Sequence, residues 1–258
     1  MKNEFLKQIS TYFPSVDYCS FRFVNKYTNI VSVTRNVLEP IEILEDEGVM
    51  ATIIHNGGYG YGASSDLTPD GILKAIEEAK KWAEYSSGKL VHVPHPPSMR
   101  IDDGKYFTHE KDSWAKESNK DKVDYLMQIN KSLKSKPTIS NWGASFRYNK
   151  IEILFTDTNG SDIRQNISYI LPQLVACAEY KKQIQTRTFG GHAHARQIGY
   201  NFLRDSDLIT KAEQTANDAI ELSMAPNCPD SKMDALIAPC LLYTSPSPRD
   251  LSTSRMPS

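Results

Sequence analysis

One short stretch, Asn56-Gly57-Gly58-Tyr59-Gly60-Tyr61-Gly62, constrains the fold of this chain more than any other. An apolar run at residues 48–55 precedes it, and Thr68-Pro69-Asp70 follows. Asn-Gly tolerates the two positive φ values of a tight primed turn, so a hairpin is predicted here, with residues 59–64 as the returning strand. Alternating Gly and Tyr leaves one face of that strand without side chains, which suits a strand crossed closely by another backbone. The same letters contain G-x-G-x-G between a strand and a helix, so a phosphate-binding loop has to be weighed. That fingerprint needs its helix to begin at the phosphate. Here the helix begins only at Pro69, and no Gly-Lys-Ser/Thr follows.

The helix itself is well marked. Thr68 can cap it, Pro69 suits a position whose N–H is unneeded, and Asp70 complements the dipole. Ile72, Leu73, Ile76, Ala79, Trp82 and Ala83 trace one face up to a stop near Gly88. Ahead of the hairpin, a short helix is predicted at residues 3–11, with Phe5, Leu6 and Ile9 on one face. Strands are predicted at 16–24, where Cys19, Phe21 and Phe23 alternate with polar residues, and at 29–34 and 41–44. Residues 1–88 thus read as an N-terminal α+β domain.

A connector is predicted at 89–119, because the prolines among Val91-His92-Val93-Pro94-His95-Pro96-Pro97 forbid regular helix. A second, incomplete α+β unit is predicted at 120–239. It begins with a helix at 120–133 (Val123, Leu126, Met127 and Leu133 inward). Strands follow at 138–148 and at 151–156, the latter with Ile151, Ile153 and Phe155 alternating. After a turn at Asn159-Gly160 come 161–168, the apolar 169–180 and 183–189. A last helix at 206–223 turns Leu208, Ala212, Ala216, Ala219 and Ile220 inward. The fold class is α+β: antiparallel meander sheets covered by helices in two consecutive units, the second incomplete.

Composition narrows the function classes. With 40% apolar and 24% charged residues and a net charge of −1, the 258-residue chain has no overall basic field for a polyanion. No Lys/Arg run interleaves with aromatics, so no nucleic-acid partner is expected. No apolar run is long enough to span a bilayer and the N-terminus turns polar at once, so no membrane partner is expected and a cytoplasmic location is. Cys19, Cys177, Cys228 and Cys240 are too scattered for a disulfide framework or zinc ribbon.

Residues 240–258, CLLYTSPSPRDLSTSRMPS, carry no apolar period. Back-translated, Cys240 to Asp250 spell a transposase-type sequencing adapter. After a gap of index length, the end of Thr253 and then Ser254 to Ser258 continue it in the same frame. The expectation is a non-native, adapter-derived, disordered tail on an N-terminal fragment.

Candidate sites are few. His192 and His194 sit two apart after Gly190-Gly191, and on a strand both would face one metal. Arg187 and Arg196, rather than a carboxylate or third His, lie nearby, and an exposed Gly-rich loop explains them with less. His92 and His95 lie between prolines, and His55 ends a strand before its turn. Glu42, Glu45, Asp46 and Glu47 read as a solvated strand end and loop, since a catalytic pair needs enclosure to separate its pKa values. Residues 111–122 are a mixed-sign run that reads as a solvated face or linker. G-x-S-x-G, C-x-x-C and H-E-x-x-H are all lacking.

From Asp46-Glu47-Gly48-Val49 through the hairpin to Gly62-Ala63-Ser64-Ser65-Asp66-Leu67-Thr68, the chain resembles the TldD/PmbA family of bacterial metallopeptidases, once described as modulators of DNA gyrase. Thr156-Asp157-Thr158-Asn159-Gly160 and Gly190-Gly191 add to the likeness, which leans to the TldD-like side. The resemblance implies zinc-assisted hydrolysis of flexible or unfolded peptides in a cleft enclosed by a dimer. That dimer is a homodimer or a heterodimer with a related subunit lacking the metal site. In such proteins an H-E-x-x-x-H helix follows a strand like that at residues 233–239. None of those residues is present, so no catalytic, cofactor-binding or metal residue is assigned here, and zinc is expected only in the full-length parent. The alternatives are a non-catalytic PmbA-like partner that binds substrate as a scaffold, and a generic α+β binding module.

Overall fold

The computed structural model describes residues 9–95, 103–110, 112–227, 230–232 and 234. Most of the helix predicted at 3–11, the strand-like segment 233–239 apart from residue 234, and the whole of 240–258 lie outside them. What is described of the first of these is a single 3-10 turn, Ile9–Tyr12.

Among the described residues eight strands form one sheet: β1 (Tyr18–Thr34), β2 (Val37–Leu38), β3 (Glu42–His55), β4 (Gly58–Ser64), β5 (Asp103–Phe107), β6 (Ile139–Asp157), β7 (Asp162–Tyr180) and β8 (Gln183–Gly190). The main order is β4-β3-β1-β6-β7-β5, with β2 on β1 and β8 on β7. Two antiparallel meanders, β1-β3-β4 and β6-β7-β8, are therefore joined by their first strands, which pair from Ser20↔Asp157 to Thr34↔Gly143. The helices are α1 (Pro69–Ser86), α2 (Asn119–Leu133), α3 (Asn201–Asp205) and α4 (Leu208–Met224). Among the described residues no helix is long and apolar enough to cross a membrane.

Several predicted strands prove to be halves of longer ones. The segments 16–24 and 29–34 are both β1, 41–44 and 48–55 are both β3, 138–148 and 151–156 are both β6, and 161–168 and 169–180 are both β7. The polar residues that interrupt each apolar pattern still pair through their backbones, as Lys26 does with Asp46 on one side and Ile151 on the other. Ile151, Ile153 and Phe155 do share a face, but it is the half-exposed one, while Leu154 turns into the core. In the connector, β5 adds parallel to β7, from Asp103↔Asp162 to Phe107↔Asn166. A strand with no hairpin partner carries no local signal, and the connector reading of residues 89–119 did not name this strand.

All the helices that make a core lie on one face of the sheet. The odd-numbered side chains of β1 point there: Cys19 and Phe21 belong to one cluster with Ile53, Ile72 and Ala79, and Val31 and Val33 to another with Phe146, Leu126, Leu174 and Ala216. The first cluster is closed by α1 and the second by α2 and α4.

The hairpin and the helix after it form as their sequence requires. Asn56 (φ 51°) and Gly57 (φ 71°) make the primed turn. The Thr68 side chain accepts the Gly71 N–H at 3.3 Å and Pro69 opens α1. The inward stripe of α1 differs from the predicted one: Ala75 and Gly71 are buried, whereas Leu73 and Trp82 are about half exposed. Its reason is visible in β4. A methyl group on Gly58, Gly60 or Gly62 would overlap the carbonyl oxygen of Ala83, Ala79 or Ala75 respectively. Every second residue of a strand advances about 6.6 Å and every fourth of a helix about 6.0 Å, so two small-residue rows running in opposite directions stay in step. The helix lies directly on the strand backbone.

Candidate functional site

The G-x-G-x-G stretch is not a phosphate loop. Its glycines face α1 backbone at van der Waals range, leaving no space for an anion. Glu42, Glu45 and Asp46 are exposed along β3, not in a loop, and the strand's alternation sends Glu42 and Asp46 to one side and Glu45 and Glu47 to the other. They form no pair. His55 sits at the end of β3, its Nδ1 3.8 Å from the Asp17 carboxylate. His92 and His95 lie in irregular chain.

His192 and His194 are in a one-turn 3-10 helix, His192–His194, rather than a strand. Residues two apart on such a turn diverge, so the shared face needed for one metal does not exist. His192 is exposed. The His194 ring lies 4.5 Å from that of Phe189, with Nδ1 3.2 Å from the Gly190 carbonyl. Among the described residues no three His, Cys, Asp or Glu side chains are grouped to hold a metal ion.

A cleft of about 900 Å³ lies where residues 107–110 and 113–119 meet β1, β6 and β7 at the start of α2. Hydrogen bonds tie these residues down: Thr108 N–H donates to the Asn166 carbonyl (2.9 Å), and Thr108 Oγ1 accepts from Ser168 N–H (3.0 Å). Ser118 then caps α2 by accepting the Asp121 N–H at 3.1 Å.

One turn later Lys122 lies on the buried side of the helix, only 3% exposed. Its Nζ is 4.1 Å from the Trp114 ring centroid. Trp114, 4% exposed, stacks on Tyr148 with centroids 5.5 Å apart and planes 2° off parallel. Its Nε1–H donates to Asn29 Oδ1 at 2.8 Å. The Tyr148 hydroxyl donates to Glu110 Oε1 at 2.9 Å. Sequence reasoning took residues 111–122 for a solvated face or linker, because the charges there are of mixed sign. Trp114 alone signalled that this segment turns inward.

Electrostatics in the cleft follow from this burial. Desolvation lowers the Lys122 pKa, partly opposed by the negative charge of Glu117. Burial raises the Tyr148 pKa far above a phenol's ordinary value, and the hydrogen bond to Glu110 and that carboxylate's charge push it the same way. Tyr200, whose ring lies 5.8 Å from Trp114, is pushed up to about 12, chiefly by burial. These phenols stay protonated at neutral pH; Tyr148 serves as a donor to Glu110, whereas the Tyr200 hydroxyl has no hydrogen-bond partner among the described residues. The neighbouring charges are committed: Lys150 to Glu152 at 2.8 Å and Glu117 to Arg204 at 3.5 Å.

Comparison with known proteins fits this division of the chain. The family profile described as PmbA/TldA metallopeptidase domain 1 matches residues 19–83, and the PmbA/TldA metallopeptidase central domain matches residues 112–225. No curated protein sequence matches. Several solved structures share the fold, three of which follow. A putative modulator of a DNA gyrase from Thermotoga maritima is 14% identical with a TM-score of 0.62, over 88% of this chain and 49% of that one. A putative modulator of DNA gyrase from Bacteroides thetaiotaomicron is 10% identical with a TM-score of 0.59, over 84% and 47%. TldE from Thermococcus kodakarensis is 16% identical with a TM-score of 0.53, over 86% and 47%. The chain thus spans about half the length of these solved relatives.

The described residues do not fit the metal that the domain descriptions imply, because neither the two histidines nor the β3 carboxylates converge. The first profile ends on Ala83, the last alanine against the glycine strand, and the second begins at the cleft segment and runs to the end of α4. Together the two matches take in well over half of the sequence, in chain order, and the chain belongs to the PmbA/TldD family.

Proposed function

We propose that this chain is the N-terminal half of a TldD-like, zinc-dependent peptidase acting on flexible or unfolded peptides, and that it is inactive alone. The observation that carries the reading is the ordered match to the family's first and central domains in a chain about half as long as its solved relatives. Peptide-bond hydrolysis by such an enzyme needs a polarising metal and an activated water, and the ligands for that metal belong to the sequence that follows residue 239 in the parent. A dimer, homo- or heteromeric, would enclose the substrate, and the protein would work in the cytoplasm. On this reading the tail 240–258 is adapter-derived.

The test is to read the source gene past the codon for Pro239 and express what it encodes. The expected frame continues into H-E-x-x-x-H, and its product cleaves an unstructured fluorogenic peptide in a chelator-sensitive way. Purified residues 1–258 bind no stoichiometric zinc and cleave nothing. A frame that continues without the motif makes this a PmbA-like partner subunit that binds substrate as a scaffold. A natural stop after Ser258, or tight binding of one zinc by this chain, overturns the reading.

A further inference from the structure

Among the described residues Lys122 is a buried cation with no ion-pair partner. It makes no ion pair, and its ammonium donates to no protein oxygen; its one close partner among the described residues is the Trp114 ring. Burying a charge is expensive unless something pairs with it. Nevertheless Lys122 sits in the wall of the cleft, where Lys150 and Glu117 already have ion-pair partners. Glu110 is engaged by the Tyr148 hydroxyl, Glu117 faces Arg204, and Lys150 is paired with Glu152.

Lys122 is thus the lysine of the cleft wall with no ion-pair partner among the described residues, while Glu110, hydrogen-bonded only by a neutral phenol, keeps its negative charge in the same wall. Beside that carboxylate a monoanion is repelled less than a phosphate dianion. At the outer edge of the same cleft, Ile43 and Phe107 are about 60% exposed, an apolar rim above a floor that is almost fully buried. A ligand with an anionic head and an apolar body matches both levels.

We propose that the cleft captures the carboxylate of such a ligand on Lys122, with the apolar body against Ile43 and Phe107. The form that fits the proposed function, on which this part rests, is the free C-terminus of a peptide ending in an apolar residue. A free apolar carboxylic acid carries the same chemistry. Lys122 here is a binding residue, not a catalytic one.

The experiment titrates the 258-residue chain with N-acetyl-leucine, N-acetyl-leucinamide and N-acetyl-Ala-Ala-Leu by isothermal calorimetry. The acid is expected to bind about tenfold tighter than its amide, the scale of one charge-assisted hydrogen bond. Lys122→Met, which keeps the stem against Trp114, should abolish that difference, and Lys122→Arg should retain most of it. A tripeptide tighter than N-acetyl-leucine identifies a peptide as the source, and equal affinities identify a free acid. Either supports the carboxylate site. Equal affinity for acid and amide, no binding of either at millimolar concentration, or an unchanged Lys122→Met overturns it. Should Lys122→Met fail to fold, the acid–amide pair on the unaltered chain decides alone. The chain is used without metal, so failure of the peptidase reading leaves this result standing, and the reverse.

Discussion

Helix α1 rests on its strand through backbone, whereas α2 and α4 are held off theirs by side chains. In the first region Gly58, Gly60 and Gly62 meet Ala83, Ala79 and Ala75 with nothing between. In the second, Phe146, Leu126, Ile129 and Leu174 fill the layer, and Trp114, Tyr148 and Tyr200 stand at its edge. The difference decides where a ligand can go. Small residues let two backbones close up and seal the surface, while large, shaped side chains keep elements apart and leave a cleft of about 900 Å³ at their border. It also decides which mutations matter, since one contact cannot accept atoms and the other cannot lose them.

The largest effect is expected from adding atoms to the first region. Gly60→Val places a branched side chain where the Ala79 carbonyl already lies. A loss beyond about 4 kcal/mol is expected, read as collapse of the urea midpoint; an unchanged midpoint would show that α1 can lift off β4 freely. Next comes removal from the second region. Phe146→Ala, at a fully buried site, is expected to cost about 3–5 kcal/mol, and Phe146→Leu less than about 1.5 kcal/mol.

The converse change in the first region is milder. Ala79→Gly should cost only about 1 kcal/mol, the helix-propensity difference, because no large group leaves. If it costs as much as Phe146→Ala, the two regions are not different in kind.

The smallest effect is one of pH. Cys19 is fully buried in the first region, and desolvation pushes its thiol from 9.0 up to about 12. The folded state then holds a proton that the unfolded state gives up, so the neutral thiol's contribution is complete below about pH 9 and declines as pH rises towards 12. By pH 10 the loss should be about 1 kcal/mol. A Cys19→Ala variant, less stable at neutral pH, should show a flatter decline of Tm between pH 8 and pH 10; parallel curves would exclude Cys19 as a contributor.

Much of the first region was legible because its instructions are local. Asn56-Gly57 turns the chain through four residues, Thr68 and Pro69 start a helix within one turn, and alternating glycines announce a backbone neighbour without naming it. The cleft was hardly legible. Lys122 reads as one more charge in a mixed run, and only the packing of residues 107–110 and 113–119 over three strands buries it beside Trp114. The His192–His194 pair illustrates the converse: spacing proposes a shared face, and the 3-10 turn removes it.

The sequence by itself determined the α+β class, the primed hairpin, the capped helix and the family likeness carried by residues 46–68. Each depends on φ preferences, capping or periodicity within a few residues of its own position. Only the tertiary structure decided that broken apolar patterns run on as single strands, that β1 pairs with β6, and that β5 joins parallel to β7. Backbone hydrogen bonds in a ladder form whatever the side chain, so partners distant in the chain extend a strand through residues whose own pattern would end it. The same distance effect placed an unpaired ammonium in a cleft, because burial belongs to the assembled layers and not to any segment of them.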